Sequence, residues 1–134
     1  MRRTALAVVA ACLAAGCGAR APDLLLIQRS GSIPGARLEL EISDDGTVRC
    51  NRGARRRMSD SQLLSARAAE RGLERPASRH LALPPGRNAV LSYRVLLSDG
   101  SVSFSDTSPR LPGSLLALQA LTRSVATRTC GLPR

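Results

Sequence analysis

Two similar segments, each built on an Asp-Gly turn, constrain the fold of this 134-residue chain more than any other feature. Asp45-Gly46-Thr47-Val48-Arg49-Cys50 resembles Asp99-Gly100-Ser101-Val102-Ser103-Phe104. Glycine adopts the positive φ that a tight hairpin turn needs, so each segment predicts a turn followed by a returning strand. An old duplication would explain the match, although Asp-Gly hairpins also recur in unrelated chains.

The strands that precede these turns show equally clear patterns. Apolar and polar residues alternate over 38–42 and 91–97, which is typical of strands with one buried face. Residues 24–27 form a continuous apolar run, which we interpret as a central strand.

Each hairpin is followed by a predicted helix. Ser59 and Gln62 have the spacing of a capping box, which opens a helix that we expect to end between Gly72 and Pro76. Leu115, Leu118 and Val125 keep helical spacing on one face of a final helix, which Gly131 and Pro133 then end.

The predicted fold class is α+β, with an antiparallel sheet of about four strands and two helices packed on one face. The element order is β-β-α-β-β-α, or β-β-β-α-β-β-α if every strand of the first half is counted separately. Residues 23–134 are long enough for one domain of this kind and form a single predicted domain.

The N-terminus resembles a bacterial lipoprotein signal. Two arginines precede an apolar stretch that ends in Leu13-Ala14-Ala15-Gly16-Cys17. We expect residues 1–16 to be a signal peptide, Cys17 to carry lipid such as palmitate, and residues 17–22 to be a tether. The domain would then be anchored to the cell membrane on its extracytoplasmic face. An ordinary secretory signal, cut nearby, is the alternative.

The charge of the chain is strongly positive, with 20 basic and 10 acidic residues. Every basic residue is arginine, which together with the many alanines suggests a GC-rich genome and weakens the charge as a functional signal. A nucleic-acid-binding surface would need aromatic residues for stacking, and the sequence has only Tyr93 and Phe104. We therefore expect an anionic lipid or polymer surface, and no nucleic acid, as the partner of this charge.

Of the four cysteines, Cys12 leaves with the signal peptide and Cys17 is the lipid acceptor. Cys50 and Cys130 remain, and an extracytoplasmic compartment permits a disulfide between them. Two buried thiols are the alternative. With one histidine and no Cys-x-x-Cys motif, no metal site or cofactor is expected.

A first candidate binding segment spans residues 29–35, rich in glycine and proline between two predicted strands. An apolar Ile33 at the tip of a constrained loop suits insertion into a partner's cleft, because pre-organisation lowers the entropic cost of binding. A structural turn with Ile33 folded inward is the alternative. The candidate contact residues are Arg29, Ser30, Gly31, Ile33 and Gly35.

A second candidate is the predicted basic loop over residues 52–57, which contains Arg55, Arg56 and Arg57. These arginines could hold an acidic partner, lipid head groups or an anionic envelope component. Their position before a helix N-terminus opposes the helix dipole, which hints at a use, although a solvated loop also explains them.

Catalysis is not expected from this sequence. His80 lies near Ser78 in a proline-rich region, but no Gly-x-Ser-x-Gly elbow or other nucleophile motif accompanies them. Asp44 and Asp45 lack the spaced ligands of a calcium loop and are explained by a hairpin turn.

Several of these motifs together resemble the emfourin domain, a small bacterial inhibitor of thermolysin-like metalloproteases. The resemblance lies in Arg29-Ser30-Gly31 with Gly35, in the strand Tyr93-x-Val95, and in Val102-x-Phe104-x-Asp106 after the Asp99-Gly100 turn. It covers about residues 23–130 and implies a protease-inhibitor-like module whose partner is an exported metalloprotease. The chain departs from the family in Ser32-Ile33-Pro34, where more glycine is usual, and in its cysteines and lipid anchor.

Overall fold

The structure, a computed structural model, describes residues 23–133. The predicted signal peptide, Cys17, the tether and Arg134 lie outside the described residues. No helix within 23–133 combines the length and the apolar character that crossing a membrane requires.

The elements follow the predicted alternation of hairpins and helices, with two more strands than expected. In chain order they are β1 (Asp23–Gly31), β2 (Leu38–Ser43), β3 (Thr47–Cys50), β4 (Arg55–Arg57), α1 (Asp60–Ser78), β5 (Leu91–Leu97), β6 (Gly100–Ser105), α2 (Gly113–Ser124) and a π-helical segment (Val125–Thr129).

The six strands form one antiparallel sheet in the order β4-β3-β2-β1-β5-β6. The predicted α+β class is confirmed, and the sheet is larger than the four strands expected. β1 pairs with β2 on one side and β5 on the other, which agrees with its interpretation as a central strand.

The prediction of a basic loop over residues 52–57 was wrong for Arg55–Arg57, which form strand β4. Asn51 and Arg52 both have positive φ, as the central residues of a type I′ hairpin turn do, and the Gly53 amide donates to the Cys50 carbonyl at 2.8 Å. The turn directs the chain back along β3, so that Arg55–Arg57 pair with it as an edge strand. Three consecutive arginines show no alternation of apolar and polar residues, so no strand is predicted there.

The core lies between one face of the sheet and the two helices. Ile27 of β1 pairs with Leu40 and Val95, and all three side chains are fully buried. Buried residues of α1 and α2 belong to the same cluster, notably Leu73 and Leu118. The opposite face of the sheet carries mostly polar side chains and is not covered by either helix.

Helix α1 begins as predicted, with the capping box of Ser59 and Gln62 in place. It continues to Ser78 and includes Pro76, so the predicted end between Gly72 and Pro76 is wrong. Proline interrupts a helix by removing one backbone hydrogen bond, and here burial of Leu73 and Ala77 holds the last turn on the core.

The predicted disulfide between Cys50 and Cys130 is confirmed. It joins β3 to the end of the π-helical segment, with the two Cα atoms 6.0 Å apart. The bond closes a loop with a sequence separation of 80 residues. In the chain-entropy model, a loop of this size stabilises the fold by about 4 kcal/mol.

Candidate functional site

The antiparallel topology separates two ends of the sheet with different character. At the end where β1 begins, which we call the turn end, lie the two Asp-Gly turns with Asp44, Asp45 and Asp99. At the opposite end, which we call the loop end, lie the connections over residues 32–37, 51–54, 84–90 and 106–112.

The connection between β1 and β2 is a tightly built turn. The Ala36 amide donates to the Ile33 carbonyl at 3.1 Å, and Gly35 has a φ of +75°. Proline followed by glycine at the central positions is the sequence of a type II turn, because proline fixes the first φ and glycine accepts the positive second one.

Arg29 holds this turn in place from the last part of β1. Its Nε donates to the Ala36 carbonyl at 2.9 Å, and one terminal nitrogen donates to the Gly35 carbonyl at 3.1 Å. Both bonds are charge-assisted, which makes them stronger than bonds between neutral groups. The half-buried guanidinium therefore positions the turn that presents Ile33.

The other flank of the turn is fixed against the segment before β5. The Ser32 amide donates to the Val90 carbonyl at 3.1 Å. A Cβ placed on Gly31 would lie 2.0 Å from that same carbonyl oxygen, so only glycine allows this approach of the two backbones.

These contacts leave an apolar tip at the loop end. The side chain of Ile33 is 48% exposed, and Val90, which follows in the adjoining segment, is 39% exposed. A cavity of about 120 Å³ lies beside the tip. Its lining includes Ile33, Leu91, Arg123, Thr127 and Pro133.

The three arginines of β4 are exposed but differ in the contacts that their side chains make. Arg55 donates to the hydroxyls of Ser43 and Thr47 and lies 3.6 Å from a carboxylate oxygen of Glu41. Arg56 donates to the Thr129 carbonyl at 3.4 Å, where a cation offsets the negative end of the helical segment. Two of the three predicted binding arginines are thus engaged within the fold.

An open groove of about 860 Å³ lies mainly on the sheet face that the helices leave uncovered. Polar side chains of β1, β5 and β6 contribute to its lining, and the segment around Leu83 and Pro85 borders one side. Residues 81–83 pair with β6 at Ser103, which fixes that border. The charged residues of the lining are Arg29, Arg37, Glu39, Arg52 and Arg94.

Two ionisable groups near the loop end have pKa values that are shifted from their ordinary ones. A hydrogen bond from Arg52, with a second from Gln28, holds the pKa of Glu39 below its usual range, so this carboxylate stays ionised. Burial of the phenol raises the pKa of Tyr93, whose ring stacks on Phe104 with centroids 4.9 Å apart.

The structure brings together part of the residue set chosen from the sequence. Arg29, Ser30 and Gly31 belong to strand β1 rather than to the loop, and Ile33 and Gly35 form the turn beyond it. The β4 arginines lie three strands away from β1 in the sheet. Sequence reasoning missed Val90 and the groove arginines Arg37 and Arg94, because their grouping depends on strand pairing between distant segments.

Comparison of the chain with protein-family models, curated proteins and solved structures found no match in any of the three.

Proposed function

We propose that this protein is a membrane-anchored, extracytoplasmic lipoprotein with a non-catalytic binding domain that acts as a protease-inhibitor-like module. Its binding element is the β1–β2 turn, and its partner is an exported thermolysin-like metalloprotease. The resemblance of the sequence motifs to the emfourin domain suggests that partner class.

The observation that carries this proposal is the clamp of Arg29 on the turn that presents Ile33. An exposed isoleucine gains apolar burial when it enters a partner's cleft. The bonds from Arg29 hold the backbone of the turn before binding, so little conformational entropy remains to be lost. A rigid backbone also resists entering a protease active site as an extended substrate.

An envelope-interaction lipoprotein that binds an anionic polymer, lipid head groups or a membrane complex is the second candidate. The exposure of Arg55, Arg56 and Arg57 along edge strand β4 favours it. Of these, Arg57 is the one whose side chain makes no hydrogen bond or ion pair at all in the part of the chain that the structure describes.

A titration of the full oxidised chain against a thermolysin-like metalloprotease tests the first candidate. Stoichiometric inhibition without cleavage of the inhibitor supports it, and Ile33→Asp should abolish that inhibition while the fold stays intact. Leu64→Asp is the matched control, because Leu64 is 64% exposed on α1 and outside the turn.

Binding that instead weakens strongly with added salt, and that Arg55→Ala and Arg57→Ala also weaken, would favour the second candidate. Inhibition that survives Ile33→Asp unchanged would remove the turn as the binding element.

A further inference from the structure

We propose that the open groove at the loop end binds a linear, phosphate-bearing polyanion, with Arg37 and Arg94 as its main cationic contacts. The inference is independent of any role for the Ile33 turn in protease inhibition. It rests on the shape of the groove, on the side chains that line it and on the distribution of charge over the two ends of the sheet.

The groove has the size and the composition of a polar ligand site. Its volume of about 860 Å³ falls within the range of ligand pockets in proteins. Ser30 and Ser92 stand opposite one another on β1 and β5, and Gln28, Arg94 and Ser103 form the next row of cross-strand partners on β1, β5 and β6. Hydroxyl, amide and guanidinium donors therefore repeat across neighbouring strands, roughly 5 Å apart.

The cations of the groove are available to an added anion. Arg37 and Arg94 are exposed, and neither forms an ion pair with any carboxylate in the described range 23–133. Glu39 is the one carboxylate in the lining, and Arg52 lies 3.2 Å from it. That ion pair offsets most of the repulsion that Glu39 would exert on an anion.

The charge distribution over the whole sheet supports the same assignment. Asp44, Asp45 and Asp99 lie at the turn end, far from the groove, whereas Arg37 and Arg52 lie at the loop end. The four connections of the loop end carry Arg37, Arg52, Arg87 and Arg110 against one acidic residue, Asp106, so this end is net positive and would attract a polyanion to the groove.

Phosphate groups suit this surface better than an acidic peptide. Each phosphate offers several acceptor oxygens, which can take the forked donors of arginine and a serine hydroxyl together. Tyr93 and Phe104 border the groove but are buried at 6% and 3% exposure, so the surface has no exposed aromatic ring for peptide side chains or bases to stack on.

The test measures binding of long-chain inorganic polyphosphate to the full chain at constant ionic strength. The double variant Arg37→Gln and Arg94→Gln should weaken binding by about tenfold or more. A second double variant, Arg71→Gln and Arg75→Gln, removes the same charge from exposed positions on α1 and should change binding less than about twofold.

Equal losses in the two double variants would overturn the proposal, since binding would then follow net charge alone. A loss of binding seen only with Arg55→Gln and Arg57→Gln would place the polyanion site on β4 and would also overturn the proposal. Poly-L-glutamate of matched charge is the comparison ligand, and equal affinity for it would refute the assignment to phosphate. Absence of polyphosphate binding to the unaltered chain, at low salt, would also refute it.

Discussion

The hydroxyl of Thr129, in the π-helical segment, donates a hydrogen bond to the side-chain oxygen of Gln62 at 2.9 Å, 67 positions earlier in the chain. The same oxygen accepts from the Ser59 amide, and the amide nitrogen of Gln62 donates to Ser124. One buried side chain thus caps α1 and links it to the C-terminal helical segment, beside the disulfide at Cys130.

Replacing Gln62 with methionine should therefore destabilise the fold by about 2 kcal/mol. The change keeps the side-chain volume but leaves the Ser59 amide and the Thr129 hydroxyl without their acceptor. Chemical denaturation measures the loss. Thr129→Val provides the second arm of a double-mutant cycle, and strictly additive effects would show that the bond contributes no coupling.

Arg29→Met should loosen the β1–β2 turn and lower stability by about 1 to 2 kcal/mol. Methionine keeps most of the apolar stem but cannot donate to the Gly35 and Ala36 carbonyls. Hydrogen exchange at the Ala36 amide reports on the turn directly, and its protection should fall. Protection equal to that of the unaltered chain would show that the turn holds its shape without the clamp.

Gly31→Ala should be strongly destabilising, by about 2 kcal/mol or more. Its new Cβ would lie 2.0 Å from the Val90 carbonyl oxygen, so the backbone would have to move and the Ser32–Val90 bond would be lost. Gly113→Ala is the matched control. No atom lies within 4 Å of a Cβ there, and alanine is the better helix former at the start of α2. Thermal unfolding of both variants measures the difference. Unfolding midpoints that shifted equally in the two variants would contradict this account.

Tyr93, the one tyrosine of the chain, should titrate above its ordinary value of 10.0. Burial disfavours the phenolate, so the folded state keeps the proton longer than the unfolded state does. The resulting stabilisation is fully present below the unfolded pKa and is lost as the pH rises through the folded pKa. The ultraviolet absorbance of the phenolate follows this titration, and Tyr93→Phe should remove that contribution to the alkaline loss of stability. Titration at or below 10.0 would contradict the burial argument.

The parts of the fold that follow from local signals could be predicted from the sequence. The Asp-Gly turns placed two hairpins, and the spacing of Ser59 and Gln62 placed the start of α1. Strand β4 could not be predicted in this way, because it depends on the turn at Asn51 and Arg52 and on pairing with β3. The three consecutive arginines of β4 also show no alternation of apolar and polar residues, which is the pattern that predicts a strand.

The same distinction applies to the candidate sites. Proline and glycine marked the turn that presents Ile33, since their backbone preferences are local. The role of Arg29 was not visible, because its guanidinium reaches carbonyls six and seven residues further along the chain. The groove was missed for a similar reason, because Arg37 and Arg94 lie on separate segments and line the same groove only through the pairing of β1 with β2 and β5.

The most direct test of the central claim compares three forms of the full chain, oxidised at Cys50 and Cys130, as inhibitors of a thermolysin-like metalloprotease. We predict stoichiometric inhibition by the unaltered chain and by Leu64→Asp, and a loss of about tenfold or more in apparent affinity for Ile33→Asp. Circular dichroism and the unfolding midpoint verify that each form is folded. Absence of inhibition by the folded, unaltered chain, or equal inhibition by Ile33→Asp, would contradict the account.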